Sequence, residues 1–281
     1  MNKIGFNLLP WSAGVSSSVY PLVERLSQIG YDGIEVLIGS PEEQEYKDLC
    51  RHTKDLDLEI TGVFVLNDNE NLISTNPQIR QSGLDRVKWA IDRAYDLEAK
   101  VICGPFHSAH GCFSRAAPTE QEYIWSAESL RKAGDYAKEA GVTLALEAVN
   151  RFETYLANTM EQLSKLIELT NHEQVKAMYD THHAHIEEKE ISIPIERISA
   201  HLAHVHISEN DRGTPGKGLV HWTEVFEALK KVEYKGWYTI ESFSRADPNF
   251  ANAINVWRDY SKPWEIAEEG YLFIKKMLNE V

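Results

Sequence analysis

The chain has 281 residues, of which 43% are hydrophobic and 26% charged, and its formal net charge is −14 at pH 7. This composition is typical of a globular protein, and the negative charge disfavours a nucleic-acid partner because it repels phosphate backbones. No apolar run approaches the ~20 residues that span a bilayer, so we expect no membrane partner.

The first segment, "MNKIGFNLLPWSAG", has one basic residue and a short apolar stretch that is broken by Asn7 and Pro10. It resembles neither a signal peptide nor a membrane anchor. The cysteines Cys50, Cys103 and Cys112 are odd in number and widely spaced. This pattern predicts reduced thiols in a cytoplasmic protein.

Short apolar runs, each a predicted strand, recur along the whole chain. The eight runs lie at 3–8, 33–38, 60–65, 100–105, 143–149, 175–180, 203–208 and 237–242. The segments between them carry apolar residues at helical spacing. The predicted helices cover 20–30, 41–58, 76–99, 119–141, 159–171, 193–202, 222–236 and 263–281.

Cap residues agree with these boundaries. Thr119 and Asn158 precede helices with acids in the first turn, and each is a predicted N-cap. Three glycines, Gly30, Gly141 and Gly236, are predicted to end helices.

The strict alternation of strands and helices predicts a parallel sheet. Neither a G-x-G-x-x-G motif nor a P-loop follows the first strand, which weakens the case for an open, Rossmann-like sheet. No low-complexity linker divides the chain, so we predict one domain over 1–281. The predicted fold is therefore α/β, a (β/α)8 TIM barrel with its active site at the C-terminal ends of the strands.

Four successive predicted strands end with a residue that can bind a metal ion. These residues are Glu147, Asp180, His206 and Glu241. Leu144 and Leu146 suit the helix-facing side of their strand, so alternation turns Glu147 into the barrel mouth. A single such carboxylate is often a cap, but three inward carboxylates repel unless a divalent cation lies among them. The oxygen-rich set suits Mn²⁺, Mg²⁺ or Co²⁺. His204 is interpreted as a core residue one layer below.

With these residues, the sequence resembles the xylose-isomerase-like barrel superfamily, and more closely the ketose 3-epimerases that act on D-tagatose, D-psicose (allulose) and related free ketoses. The resemblance covers nearly the whole chain. Its most specific segments are "LEAVNRFETY" (146–155), "YDTHHAHIEE" (179–188), "HVHISENDRGTPGKG" (204–218), "YTIESF" (238–243) and "ANAINVWRDYS" (251–261).

The resemblance implies roles for particular residues. The four strand-end residues would hold one divalent ion, Mn²⁺ first, with Co²⁺ or Mg²⁺ as alternatives. Glu153, His183 and Arg212 would hydrogen-bond the hydroxyls and carbonyl at the reacting end of a small sugar. Three aromatic residues would wall off its far end, namely Phe6, Trp11 and Phe243. A homodimer or homotetramer is also implied.

One loop departs from the pattern of these epimerases. The segment "GPFHSAHGCFSR" (104–115) follows the fourth strand, where the family usually carries different aromatic residues. His107 and His110 could meet a phosphate or carboxylate group of the substrate, or be incidental. The identity of the sugar is therefore left open.

We accordingly expect an isomerase, a metal-dependent epimerase that inverts C3 of a free ketose of the D-tagatose, D-psicose or D-fructose type. Glu147 and Glu241, as opposed acid and base, would remove and return a proton through a metal-bound cis-enediolate. Two enzymatic alternatives share the scaffold: an aldose–ketose isomerase, and an epimerase of a related keto-sugar, cyclitol or sugar phosphate. A non-catalytic sugar-binding barrel is a third alternative.

Overall fold

The computed structural model describes residues 2–280. Its parallel strands follow one another in chain order and close into a barrel, with β1 paired to both β2 and β8. The strands are β1 (Lys3–Asn7), β2 (Gly33–Leu37), β3 (Glu59–Val63), β4 (Val101–Gly104), β5 (Thr143–Leu146), β6 (Val175–Asp180), β7 (Leu202–Ile207) and β8 (Trp237–Ile240). The predicted (β/α)8 fold is confirmed.

Helices connect the strands on the outside of the barrel. They are α1 (Tyr20–Ile29), α2 (Glu43–Lys54), α3 (Pro77–Asp96), α4 (Glu120–Ala140), α5 (Met160–Thr170), α6 (Thr181–Glu187), α7 (Ser192–Ile198), α8 (Trp222–Lys231), α9 (Pro248–Ala253) and α10 (Pro263–Glu280). The short helices α6, with seven residues, and α9, with six, were not predicted. None of the helices in 2–280 combines the length and the apolar character needed to cross a bilayer.

Most of the predicted helix ends agree with the structure. Thr119 caps α4, and its side chain accepts a hydrogen bond from the backbone N–H of Glu122 in a capping box. Gly30 and Gly141 end α1 and α4 with φ values of 111° and 68°.

Two predicted caps are wrong. The N-cap of α5 is Thr159, because the side chain of Asn158 is engaged with the backbone carbonyls of Val149 and Thr154. Gly236 does not end a helix either, since α8 stops at Lys231.

Two apolar clusters hold the barrel together. The larger fills the space between the sheet and the helices, where burial of apolar surface supplies most of the stabilisation. The smaller lies inside the barrel and contains Cys103, Ala145 and Met178. Polar side chains share this interior. Strand register places Asn7 beside Glu35, and Glu35 beside Thr61.

Candidate active site and metal centre

Four side chains meet at the C-terminal mouth of the barrel. One potential ligand atom from each of Glu147, Asp180, His206 and Glu241 lies within 4.8 Å of all the others, and every one of these residues is buried. Asp180 is the last residue of β6 and His206 lies one residue before the end of β7, while Glu147 and Glu241 directly follow β5 and β8. Alternation along the strands turns all four inward.

The chemistry of this group fits a divalent cation. Three carboxylates and one imidazole are ligands that Mn²⁺, Mg²⁺ and Co²⁺ accept. Oε1 of Glu147 and Nδ1 of His206 are buried, and among the residues that the structure describes neither atom has a hydrogen-bond partner. Buried polar atoms normally have partners, so these two atoms indicate a ligand.

Two of the acidic residues in this four-residue group differ electrostatically. Burial, together with the charges of Asp180 and Glu241, raises the pKa of Glu147 well above its ordinary value. Burial would do the same to Asp180, but the charge of Arg212 outweighs it and holds the pKa of Asp180 well below its ordinary value. The four-residue group at the mouth therefore contains one carboxyl group that binds a proton readily and one that stays ionised.

Arg212 compensates much of the buried negative charge. Its Nη1 donates to Oε2 of Glu241 at 2.8 Å, to Oδ2 of Asp180 at 3.2 Å and to Oγ of Ser208 at 3.0 Å. The planar guanidinium also stacks over Phe243, with Cζ 4.8 Å from the ring centroid. Without this pairing, the carboxylates of Asp180 and Glu241 would be buried charges that lack this counter-ion.

The loop that carries Arg212 is built around the buried carboxylate of Glu209. This carboxylate accepts hydrogen bonds from Nε1 of Trp222 and from the backbone N–H groups of Gly216 and Val220. Arg212 itself adopts a φ of 62°, which is uncommon for a residue with a side chain. The loop is thus held in one conformation that directs the guanidinium inward.

His183 lies beside Glu147, with Nε2 3.6 Å from Oε1 of that residue. Nδ1 of His183 accepts the backbone N–H of Asn150 at 3.1 Å. Burial lowers the pKa of His183, which favours the neutral ring, so the hydrogen of the imidazole is on Nε2. Nη2 of Arg212 lies 2.9 Å from the same nitrogen. Both groups are donors, and a single acceptor oxygen placed near them would satisfy both.

Glu153 lies further out at the rim. Its carboxylate accepts from Nδ2 of Asn150 at 2.8 Å and from Nε2 of His110 at 3.1 Å. Burial would raise the pKa of Glu153, but the hydrogen bond from His110 and the charge of Arg212 hold it well below 4.5. The group is therefore an ionised hydrogen-bond acceptor.

The two loop histidines lie in different environments. His107 is fully buried, and its Nε2 lies 3.0 Å from the backbone carbonyl of Glu147, so it does not face a substrate. His110 is partly exposed and contacts Glu153. The alternative in which both histidines meet an anionic group of the substrate therefore does not fit His107.

Of the three predicted aromatic wall residues, the structure places Phe6 elsewhere. Asn7 points inward to Glu35, so alternation turns Phe6 outward, where it is fully buried against Tyr31. Trp11 packs on Phe6 at the edge of the mouth, with ring centroids 5.2 Å apart. Phe243 lies against Arg212 and the inner cluster.

Sequence analysis missed Glu35. This residue is fully buried within β2, and its carboxylate lies below the four strand-end residues. Burial would raise its pKa, but His206 and His204 lower it well below the ordinary value. An acid inside the apolar run "GIEVLI" was the available signal, and it is the same signal that identified Glu147.

Comparisons with known proteins agree with this architecture. The family model described as "Xylose isomerase-like TIM barrel" matches residues 23–276. The L-ribulose 3-epimerase of Mesorhizobium japonicum is 30% identical over 278 residues, which cover 98% of this chain and 93% of that protein.

Solved structures give the same result. A structure of an L-ribulose 3-epimerase superposes with a TM-score of 0.94 at 30% identity, covering 100% of this chain and 95% of that chain. The D-allulose 3-epimerase from Methylomonas sp., in complex with D-allulose, superposes with a TM-score of 0.91 at 29% identity, covering 98% of this chain and 96% of that chain.

Proposed function

This chain belongs to the xylose isomerase-like TIM barrel family and, within it, to the ketose 3-epimerases, and from that premise we propose that it inverts C3 of an unphosphorylated ketose with the help of one divalent metal ion. It is an isomerase of the epimerase type. The observation that carries the proposal is the convergence of Glu147, Asp180, His206 and Glu241 within 4.8 Å at the barrel mouth.

We assign the ion to these four side chains. When bound, it supplies Lewis-acid chemistry, drawing electron density from the oxygens of the ketose and so acidifying the adjacent C–H bond. The oxygen-rich set supports Mn²⁺, with Co²⁺ or Mg²⁺ as alternatives.

Glu147 and Glu241 are the proposed acid and base. One carboxylate takes the C3 proton, and the other carboxyl group returns a proton to the opposite face of the sugar. The two side chains come from β5 and β8, so they can approach a sugar lying in the mouth from different sides. The raised pKa of Glu147 supports its carrying a proton in one direction of the reaction.

His183 and Arg212 are the proposed donors to the reacting end of the sugar. Nε2–H of His183 and the Nη2 group of Arg212 converge at 2.9 Å, so one hydroxyl or carbonyl oxygen can accept from both. Glu153, held ionised at the rim, would accept from a sugar hydroxyl. Trp11 and Phe243 would contact the apolar faces of the sugar further from the reacting carbon.

The charges at the mouth support an unphosphorylated substrate. The guanidinium of Arg212 is already paired with Asp180 and Glu241, and His110 is paired with Glu153. A phosphate group would have to compete with these carboxylates for the same donors, and its negative charge would repel theirs. The complex of the Methylomonas relative with D-allulose supports the same class of sugar.

We further propose that residues 1–281 form one domain, that the protein is cytoplasmic and that it assembles as a homodimer or homotetramer. All three cysteines are free, which supports a reducing compartment.

The test is a panel of free and phosphorylated ketoses and of aldoses, each incubated with Mn²⁺ or Co²⁺ and followed by NMR. We expect inversion at C3 of a free ketose and no change at other carbons. Formation of an aldose would indicate an aldose–ketose isomerase instead, and inversion of only a phosphorylated sugar would contradict the proposed substrate class. Saturable ketose binding without turnover under either ion would indicate a sugar-binding barrel.

A further inference from the structure

Glu35 lies in the interior of the barrel, directly below the proposed metal ligands, and is fully buried. Around the barrel wall, β2 and β7 are separated by β1 and β8, yet the carboxylate of Glu35 reaches the histidines of β7. Its Oε1 lies 2.8 Å from Nε2 of His206, and its Oε2 lies 2.9 Å from Nε2 of His204. The first contact is a hydrogen bond, whereas the second is a close contact without hydrogen-bond geometry.

The carboxylate is itself fixed from other strands. Nδ2 of Asn7 donates to Oε1 at 2.9 Å, and Oγ1 of Thr61 donates to Oε2 at 2.9 Å. The thiol of Cys103 lies 3.2 Å from Oε2. With donors on both oxygens and no exposed surface, Glu35 has one position available to it.

The contact with His206 determines which nitrogen of that ring carries hydrogen. A carboxylate oxygen only accepts, so the nitrogen that faces Glu35, Nε2, is the donor. The other nitrogen, Nδ1, faces Asp180 and Glu241 at 3.5 and 3.4 Å and makes no hydrogen bond with the residues in 2–280. Metal-bound histidines commonly donate their second ring nitrogen to a carboxylate in this way.

We propose that Glu35 is a positioning residue that holds His206 in the tautomer with hydrogen on Nε2, and thereby directs the lone pair of Nδ1 to the metal. This inference rests on the metal-dependent function proposed above. It gives a structural reason for an acid within β2, where an apolar residue would be expected in the barrel interior.

A different interpretation of the same cluster is a second metal site. One potential ligand atom from each of Glu35, Cys103, His204 and His206 also lies within 4.8 Å of the others. However, both oxygens of Glu35 already accept from uncharged donors, Asn7 and Thr61, which a metal ligand would have to share. A hydrogen-bonding role for Glu35 therefore accounts for more of its contacts than a metal-binding role does. The number of metal ions bound per chain distinguishes these two roles.

The tautomer can be measured directly in the wild-type protein. With ¹⁵N-labelled histidine and Mg²⁺ as the ion, two-bond ¹⁵N–¹H spectra distinguish protonated from unprotonated ring nitrogens, and a His206→Gln variant assigns the signal. We expect hydrogen on Nε2 and none on Nδ1. Hydrogen on Nδ1 in the metal-loaded protein would overturn the inference, and this result does not depend on any Glu35 variant folding.

The second measurement compares Mn²⁺ affinity by chelator competition in Glu35→Gln and Thr53→Val. Thr53 is a buried residue of α2 whose hydroxyl donates to the backbone carbonyl of Cys50, so Thr53→Val removes a buried hydrogen bond outside the barrel interior and is the control. Loss of a carboxylate partner of a metal-bound histidine typically weakens metal binding by about 10- to 100-fold, which is the loss expected for Glu35→Gln. Thr53→Val should stay within about threefold of wild type.

Three outcomes have distinct meanings. Equal Mn²⁺ affinity in Glu35→Gln and wild type would overturn this inference and leave the proposed function intact. Two equivalents of metal per chain, one of them lost in Cys103→Ser, would show the second metal site instead and also overturn it. A wild-type protein that binds no divalent ion would contradict the proposed function itself.

Discussion

Carboxyl oxygens of Glu147 and Glu241 lie within 4.8 Å of each other, although β6 and β7 separate the strands that they follow. Two buried carboxyl groups at this distance repel each other when both are ionised. A cation between them or a proton on one of them relieves the repulsion, and a C3 epimerase needs both of these conditions.

Replacing either glutamate with glutamine should stop proton exchange at C3. The amide of Glu147→Gln or Glu241→Gln cannot take or return a proton, and general acid–base catalysis contributes about 10²- to 10⁴-fold. The measurement is deuterium incorporation at C3 from heavy water during incubation with a ketose substrate. Glu190→Gln, at an exposed position, is the control and should behave like wild type. Wild-type exchange in either active-site variant would rule out the proposed roles.

Arg212 should contribute more to stability without metal than with it. In Arg212→Met, Asp180 and Glu241 lose their guanidinium partner, and breaking a buried pair costs about 3–5 kcal/mol of unfolding free energy. Bound Mn²⁺ would compensate the charge of the same carboxylates. The loss of unfolding free energy in Arg212→Met relative to wild type, measured by urea denaturation, should therefore be smaller with Mn²⁺ than with chelator.

Arg151→Met is the matched control for this experiment. Arg151 forms a pair with Glu187, but 61% of the Arg151 side chain is exposed, and such pairs contribute about 0–1 kcal/mol. A deficit for Arg212→Met that is the same with Mn²⁺ and with chelator would contradict the account of how the site balances its charge.

His110 should affect substrate binding more than turnover. In His110→Ala, Glu153 loses one of its two hydrogen-bond donors and is less firmly held at the rim. Hydrogen bonds to charged groups contribute about 1.5 kcal/mol at the lower end of their range, so we expect KM to rise roughly tenfold. We expect kcat to stay within about threefold. His185→Ala, at an exposed position in α6, is the control. A selective fall in kcat would show that His110 acts in the chemical step instead.

Stability should fall in mildly acidic solution partly because of His107. Burial lowers the pKa of this residue from 6.5 to about 4, against a hydrogen bond to the carbonyl of Glu147 that raises it. Between these two pH values the unfolded chain binds a proton that the native protein does not, so unfolding becomes easier as the pH falls. The contribution amounts to roughly 3 kcal/mol.

His107→Gln keeps an amide donor but cannot titrate, so the dependence of its unfolding free energy on pH should be shallower between pH 6.5 and 4. His221→Gln replaces an exposed histidine and should keep the wild-type dependence. Identical pH profiles for His107→Gln and wild type would show that other groups determine the acid sensitivity.

The sequence contained enough information to place the strand-end residues. Leu144 and Leu146 face the helices, so the direction of Glu147 followed from alternation alone, and strands in a barrel end at one common mouth. The same rule, applied to β1, turns Ile4 and Phe6 toward the helices and Asn7 inward, so the wall role that the resemblance implied for Phe6 disagreed with alternation. The contact between Asn7 and Glu35 agrees with this direction.

The role of Glu35 could not be read from its position in the sequence. Its hydrogen-bond partner His206 is 171 residues away, and the contact depends on how eight strands close around the interior. The conformation of the loop around Glu209 likewise depends on backbone N–H groups, which every residue type except proline supplies. Periodicity and alternation predict faces of elements, whereas contacts across a barrel require its register.

The most direct test of the account is anomalous diffraction at the manganese edge from crystals grown with Mn²⁺. We expect one peak per chain, enclosed by Glu147, Asp180, His206 and Glu241. A map without a peak at that position, or with those four side chains pointing away from one another, would contradict it.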